Sequence, residues 1–136
     1  ACYGAPVIVF DLGTATTVGV VNEDKCFIGG MIIPGVKTSL SALTTRASQL
    51  PTINIEKPKH IIGRNTIECM QSGIIHGTAA MIDGIISDIL PSFGNQPVKI
   101  VATGGMSKQI MPHCKHEIAV EPHLQFKGIF HATKEL

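Results

Sequence analysis

The chain has 136 residues, 44% hydrophobic and 15% charged, with a formal net charge of +1, which indicates one domain over residues 1–136 with one core. The near-neutral charge argues against a nucleic-acid partner, and no signal peptide, membrane-spanning run or lipidation motif is visible, so we expect no membrane partner. The four cysteines, at positions 2, 26, 69 and 114, form no close pair, which predicts reduced thiols in the cytoplasm.

The first predicted element is a strand, turn and strand near the N-terminus. Apolar residues 6–10 form the first strand, and residues 16–22 form the second. Between them lie Asp11, Gly13 and Thr14, so the turn combines backbone N–H groups, a hydroxyl and a carboxylate within a few residues. Such a group can hold a phosphate together with a cation. The stretch therefore predicts a nucleotide-phosphate turn.

Residues 26–33 form a third strand after a polar turn, which completes an antiparallel meander. Gly29 and Gly30 lie inside this strand, where glycine is destabilising. They indicate either close approach of another backbone or a ligand, or a β-bulge, and both interpretations stay open.

Two helices are predicted next. The first covers Lys37 to Leu50, and the second runs over about residues 66–90, with Asn65 as its N-cap. Gly73 and Gly77 are four residues apart on this second helix, which lets a neighbouring helix approach closely in a packed core or a subunit interface. The apolar row that we expect to be buried comprises Ile67, Met70, Ile74, Met81 or Ile82, Ile85 and Ile89.

The last third of the chain contains a second glycine-rich turn. A buried strand over residues 98–102 leads directly into Thr103, Gly104 and Gly105, and a helix follows from about Met106. A strand, a double glycine and a helix start allow a nucleotide to contact the backbone without side-chain obstruction. A short strand over 117–121 and a closing helix to about Lys134 complete the chain.

The element order β-β-β-α-α-β-α-β-α predicts an α/β domain with a mixed sheet. Six short segments stand out along the chain, namely Asp11–Thr17 (DLGTATT), Gly29–Gly35 (GGMIIPG), Leu50-Pro51, Ile62–Thr66 (IGRNT), Gln71–Gly73 (QSG) and Thr103–Gly105 (TGG). In their order and spacing these segments resemble the type III pantothenate kinases.

The resemblance covers only the C-terminal domain of that family. It implies an actin-like, sugar-kinase-like (ribonuclease H-like) fold with a three-stranded meander and crossover helices. Family members also carry an N-terminal domain with a first phosphate turn, and an aspartate that serves as the general base. Because neither segment is present, we expect a piece of a longer or divided protein, with no catalytic residue in this chain and no activity alone.

The resemblance implies ATP-dependent phosphorylation of pantothenate to 4'-phosphopantothenate, the first step of coenzyme A biosynthesis, with magnesium. Asp11 corresponds to the ligand of a monovalent cation, potassium or ammonium. Gly13, Thr14 and the Gly104-Gly105 pair correspond to nucleotide contacts, and Thr66 to a pantothenate contact made across a homodimer interface. Each also has a purely structural interpretation, such as turn formation or, for Thr66, helix capping. The low charged fraction and the Gly73/Gly77 face predict self-association.

Two alternatives remain from the sequence. The first is a non-catalytic regulatory or transcription accessory relative of the same family, and the second is a different actin-like ATPase or phosphatase. The cluster His113, Cys114 and His116 is also typical of a metal site, but it lacks the distant fourth ligand that such a site requires.

Overall fold

A computed structural model describes residues 3–134, so Cys2 lies outside the described residues. The alternating apolar residues of the N-terminal third form the centre of a five-stranded mixed sheet with the order β3-β2-β1-β4-β5. β1 pairs antiparallel with β2 and parallel with β4, which confirms the predicted mixed sheet. The strands are β1 (Val7–Leu12), β2 (Ala15–Val21), β3 (Phe27–Pro34), β4 (Lys99–Thr103) and β5 (Ala119–Val120).

Four helices connect or follow these strands, in the predicted order. They are α1 (Val36–Arg46), α2 (Thr66–Ile89), α3 (Ser107–Ile110) and α4 (Leu124–Lys134). The predicted end of the first helix at Leu50 is wrong, because α1 ends at Arg46 and an irregular, extended segment follows. The predicted helix after the double glycine is only one turn of α-helix, which continues as a 3₁₀ turn over Met111–His113.

The core lies between one face of the sheet and α2. Ile8, Phe10 and Leu12 alternate along β1 and are fully buried on this face. The predicted apolar row of α2 is only partly correct, since Ile67 is 48% exposed. The helix is apolar on more than one side, so its period alone does not specify which row meets the sheet. The buried residues of α2 are Met70, Ser72, Ile75, Ala79, Ile82 and Ile86.

The two glycines of β3 have different structural roles. Gly29 has a φ of +129° beside an irregularity in the β2–β3 register. A Cβ at Gly30 would stand 1.8 Å from the carbonyl oxygen of Val18 in β2. The bulge interpretation therefore fits Gly29, whereas close approach of a neighbouring backbone explains Gly30.

α4 lies on the opposite face of the sheet. Tyr3 donates a hydrogen bond of 2.8 Å from its hydroxyl to Glu121, and Lys127 of α4 forms an ion pair with the same carboxylate. The hydrogen bonds from Lys127, from Tyr3 and from the His123 backbone N–H lower the pKa of Glu121 to about 2. Glu121 thus links Tyr3, at the start of the described chain, to the N-terminal half of α4.

One segment, Thr66–Phe93, is by length and composition apolar enough to cross a membrane, whereas the sequence predicts no membrane-spanning run. It consists of α2 and the short turn that follows. Only 22% of its most apolar window is buried. Core helices of soluble proteins meet the same criterion of length and composition.

Candidate nucleotide-phosphate site

The predicted phosphate turn is a tight hairpin between β1 and β2, and α1 begins directly beside it. Gly13 and Thr14 connect the two strands and are both exposed. The Thr38 hydroxyl of α1 donates a hydrogen bond of 3.1 Å to the Thr14 carbonyl oxygen. A Cβ at Gly35 would lie only 2.0 Å from that same oxygen. The absence of a side chain at Gly35 therefore allows the N-terminus of α1 to contact the turn.

The second glycine-rich segment lies against the first. Gly104 has a φ of +92°, and a Cβ there would stand 2.5–2.6 Å from backbone atoms of Leu12. The backbone N–H of Met106 donates a hydrogen bond of 3.3 Å to the Leu12 carbonyl. The structure thus brings the Gly104-Gly105 pair next to Gly13, although about ninety residues of sequence separate them.

Asp11 faces the side of the sheet that carries α4. Its neighbours in the sheet are Thr17 and Thr103, and the Gln125 amide donates a hydrogen bond of 3.0 Å to its Oδ2 atom. Within the described residues no hydrogen bond engages Oδ1. A carboxylate oxygen is a suitable donor for a hard cation. Asp11 can therefore contribute one ligand to a cation, and the described histidine, cysteine and acidic side chains form no group of three around it.

A groove of about 890 Å³ opens beside Gly105. One wall is α1, the second is the extended segment 52–55, and the third is the loop that begins α3. Lys37 and Lys108 bring two positive charges into this groove. Sequence reasoning missed both lysines, because single lysines carry no periodic signal and the extended segment gives no indication of where it packs.

Thr66 is placed by a well-formed helix start. The Asn65 Oδ1 atom accepts a hydrogen bond of 2.9 Å from the Glu68 N–H, as predicted. The Glu68 carboxylate accepts a hydrogen bond from the Arg64 N–H at 2.9 Å, and this bond lowers the pKa of Glu68. Thr66 is exposed and lines a separate groove between α1 and α2. That groove contains none of the glycines of the phosphate turn.

The histidine and cysteine cluster has structural partners. The rings of His113 and His76 lie 5.0 Å apart, edge to face, and burial lowers the pKa of His113. Burial and the charge of Asp83 raise the pKa of the Cys114 thiol to about 12, which disfavours a thiolate ligand. The Asp83 carboxylate accepts the backbone N–H of His116 at 3.1 Å. Among residues 3–134, no three histidine, cysteine or acidic groups converge as a metal site.

Comparisons with known proteins give one family and two solved structures to which the chain is similar. A family model described as type III pantothenate kinase matches residues 1–88, which is more than half of the chain. A solved structure described as a Baf family transcriptional activator from Campylobacter jejuni aligns over 98% of this chain and 58% of its own, with 22% identity and a TM-score of 0.67. The ethanolamine utilization protein EutJ from Carboxydothermus hydrogenoformans aligns over 89% and 44%, with 18% identity and a TM-score of 0.51.

The solved structures to which the chain is similar have the actin-like ATPase fold, and this similarity confirms the predicted fold class. The chain spans less than two thirds of the length of either structure.

Proposed function

Because the chain belongs to the type III pantothenate kinase family, we propose that it is the C-terminal half of a two-domain, ATP-dependent kinase that phosphorylates pantothenate. The family assignment supports kinase chemistry and nucleotide binding in general. The observation that carries the proposal is the contact of Gly104 with the end of β1, beside the Gly13-Thr14 turn. The Gly104-Gly105 segment then lies next to the exposed Gly13-Thr14 turn.

Phosphoryl transfer depends on positioning and on neutralising charge. In our proposal the N–H groups of Gly13 and Thr14 and the Thr14 hydroxyl bind ATP phosphate, and Gly105 lets the nucleoside lie close to the backbone. Lys37 and Lys108 line the adjoining groove and attract the polyphosphate. Magnesium would accompany the nucleotide, and no residue of this chain is assigned to it.

A monovalent cation would bind Asp11. When bound, potassium or ammonium supplies positive charge that offsets the charge of the nucleotide. The Gln125 hydrogen bond fixes the orientation of the carboxylate and leaves Oδ1 for the ion. Asp11 therefore serves as a cation ligand and not as the general base, which we place in the preceding part of a longer protein.

Thr66 would contact pantothenate in the site of a second copy. This role is supported by the exposure of Thr66 and by the apolar surface around it, because Ile61, Ile62 and Ile67 are 70%, 80% and 48% exposed. Exposed apolar patches of this kind mark contact surfaces. The outer side of α4, with Phe126 72% exposed, would be covered by the N-terminal domain.

Nucleotide binding by the 136-residue chain tests the first part of the proposal. We expect a non-hydrolysable ATP analogue to bind in a calorimetric titration, and Thr14→Ala to weaken that binding about tenfold, since hydrogen bonds to charged groups contribute about 1.5–3 kcal/mol. Lys59→Ala, an exposed lysine outside the groove, is the matched control. No binding to the native chain, or equal binding by both variants, would contradict the proposed site.

Turnover tests the second part. A chain extended with an N-terminal domain should phosphorylate pantothenate with dependence on potassium or ammonium, and Asp11→Asn should abolish that dependence. The 136-residue chain alone should show no turnover. An extended chain that binds neither ATP nor pantothenate would end the proposal.

A second candidate is a non-catalytic regulatory relative, which is favoured by the Baf activator description of the Campylobacter jejuni structure. The two candidates predict different results for the extended chain. A regulatory relative would bind nucleotide without phosphorylating pantothenate. The formal net charge of +1 argues against direct contact with DNA in either case.

A further inference from the structure

The extended segment 52–55, which lies between α1 and α2 in the chain, forms one wall of the groove beside Gly105. It belongs to no helix or strand, and across residues 3–134 its backbone makes no hydrogen bond to another backbone group. Ile55 packs half-buried against the core, whereas Asn54 is exposed. The position of this wall therefore depends on packing and on contacts from side chains.

Two glutamine side chains hold the segment from different helices. The Gln71 amide of α2 donates a hydrogen bond of 3.4 Å to the Asn54 carbonyl, and the Gln109 amide of α3 donates one of 3.3 Å to the Ile55 carbonyl. Because the two acceptors are consecutive carbonyl groups, α2 and α3 hold the segment at one point. We call this pair of bonds from Gln71 and Gln109 the glutamine clasp.

Ser72, the residue after Gln71, holds the same connection farther along the chain. Its buried hydroxyl donates a hydrogen bond to the Ile61 carbonyl. Between the two bonded stretches lies Pro58, which is itself buried. Gln71 and Ser72 are part of the QSG segment, which the proposed function leaves without a role. The contacts show that this segment fixes the connection between α1 and α2.

The groove extends from the phosphate turn along α1. Thr38 bonds the Thr14 carbonyl at the start of α1, and the adjacent Lys37 lines the groove. Thr44, which also lines the groove, lies seven residues beyond Lys37, or about 10 Å farther along the helix at a rise of 1.5 Å per residue. A nucleotide with its phosphates at the turn therefore has space for its nucleoside part along the wall formed by residues 52–55.

We propose that Gln71 and Gln109 are positioning residues for nucleotide binding, because the glutamine clasp holds the groove wall where it contacts the nucleoside. Each acts through the segment that it bonds and is not a catalytic residue. Gln109 also lines the groove, whereas Gln71 bonds the segment from α2 and is not part of the groove lining. The inference rests on the proposed function, since it takes ATP as the ligand of the groove.

The experiment compares a non-hydrolysable ATP analogue with inorganic tripolyphosphate, which carries the phosphates without the nucleoside, in calorimetric titrations of the 136-residue chain. Gln71→Met and Gln109→Met keep the length of the side chain and remove the amide. We expect each to weaken binding of the ATP analogue about fivefold, as for the loss of one neutral hydrogen bond, and to leave tripolyphosphate binding unchanged. Thr14→Ala should instead weaken binding of both ligands.

Two controls separate positioning from general stability. Gln96→Met, at an exposed glutamine outside the groove, should change the binding of neither ligand. The melting temperature of each variant is measured by circular dichroism, because a loss of fold stability alone would lower the affinities for the two ligands together.

The outcomes distinguish this inference from the proposed function. If Thr14→Ala weakens binding of the ATP analogue while Gln71→Met and Gln109→Met bind it as the native chain does, the inference is overturned and the nucleotide site stands. Equal weakening of tripolyphosphate and the ATP analogue in the two methionine variants would also overturn it. No binding of the ATP analogue to the native chain would overturn both.

Discussion

Gly104 occupies a backbone conformation and a space that other residues cannot share. Its φ of +92° is unfavourable for L side chains, and the Leu12 backbone fills the position that a Cβ would take. Gly105, the next residue, has open space around it. The two glycines look equivalent in the sequence, but only the first is required by packing. The second is available to a ligand.

We therefore predict that Gly104→Ala lowers the free energy of unfolding by about 2–4 kcal/mol, from backbone strain and overpacking. Gly105→Ala should change it by less than about 0.5 kcal/mol. Urea denaturation followed by circular dichroism measures both. Equal losses in the two variants would show that the Leu12 contact is not the cause.

His113 gives a pH dependence whose sign follows from its surroundings. Burial, then the charges of His76 and Lys57, lower its pKa below the ordinary 6.5. The folded chain therefore binds fewer protons at this site than the unfolded chain, so stability falls as pH falls below about 6.5. We expect His113→Gln to reduce this loss, with exposed His60→Gln as the control. Melting temperatures from pH 8 to 5 test it, and parallel curves for His113→Gln and the native chain would contradict it.

At the scale of elements, the start of α2 is determined locally. Asn65 accepts the Glu68 N–H at 2.9 Å, and the Glu68 carboxylate accepts the Arg64 N–H. These bonds satisfy backbone groups that a helix N-terminus leaves open. The buried side of the same helix is determined by its contact with the sheet, through Ile75, Ala79 and Ile82, and this side is rotated from the predicted row.

We predict that Asn65→Ala lowers the free energy of unfolding by about 1 kcal/mol through loss of the cap. Asn65→Ser keeps a capping oxygen and should remain within a few tenths of a kcal/mol of the native chain. Denaturant unfolding compares the two variants. If alanine and serine gave the same value, the cap would not contribute to the stability of α2.

At the scale of the whole molecule, large apolar side chains remain exposed at several places. Ile61 and Ile62 are 70% and 80% exposed beside Thr66, and α4 exposes Phe126, Ile129 and Phe130 on its outer side. Monomeric domains seldom expose contiguous apolar patches of large size. The surface therefore agrees with the low charged fraction in favouring association with other copies or domains.

We predict that the 136-residue chain self-associates as its concentration rises, and that Ile61→Ser with Ile62→Ser shifts it toward the monomer by removing the apolar surface near Thr66. Asn95→Ser, at an exposed polar residue outside both apolar surfaces, is the control and should leave the association unchanged. Light scattering and sedimentation velocity measure the mass. A native chain that remains monomeric at high concentration would contradict both the prediction and the proposed role of Thr66.

The sequence alone determined the order of the elements, the hairpin that holds Gly13 and Thr14, and the Asn65 cap. These features depend on neighbours within a few residues, and local patterns of apolar and turn residues report them directly. The family resemblance added the fold, because its segments occur in order along the chain.

Only the tertiary structure decided which side of α2 is buried, that Lys37 and Lys108 line one groove, and that Gly104 is needed for close packing while Gly105 remains open. It also shows that the buried Thr16 hydroxyl has no hydrogen-bond partner within the described residues. Each of these features depends on which surfaces a distant segment covers. The contact between Leu12 and Gly104, for example, joins residues about ninety positions apart. Such contacts result from the packing of whole elements against each other, and local periodicity does not encode that packing.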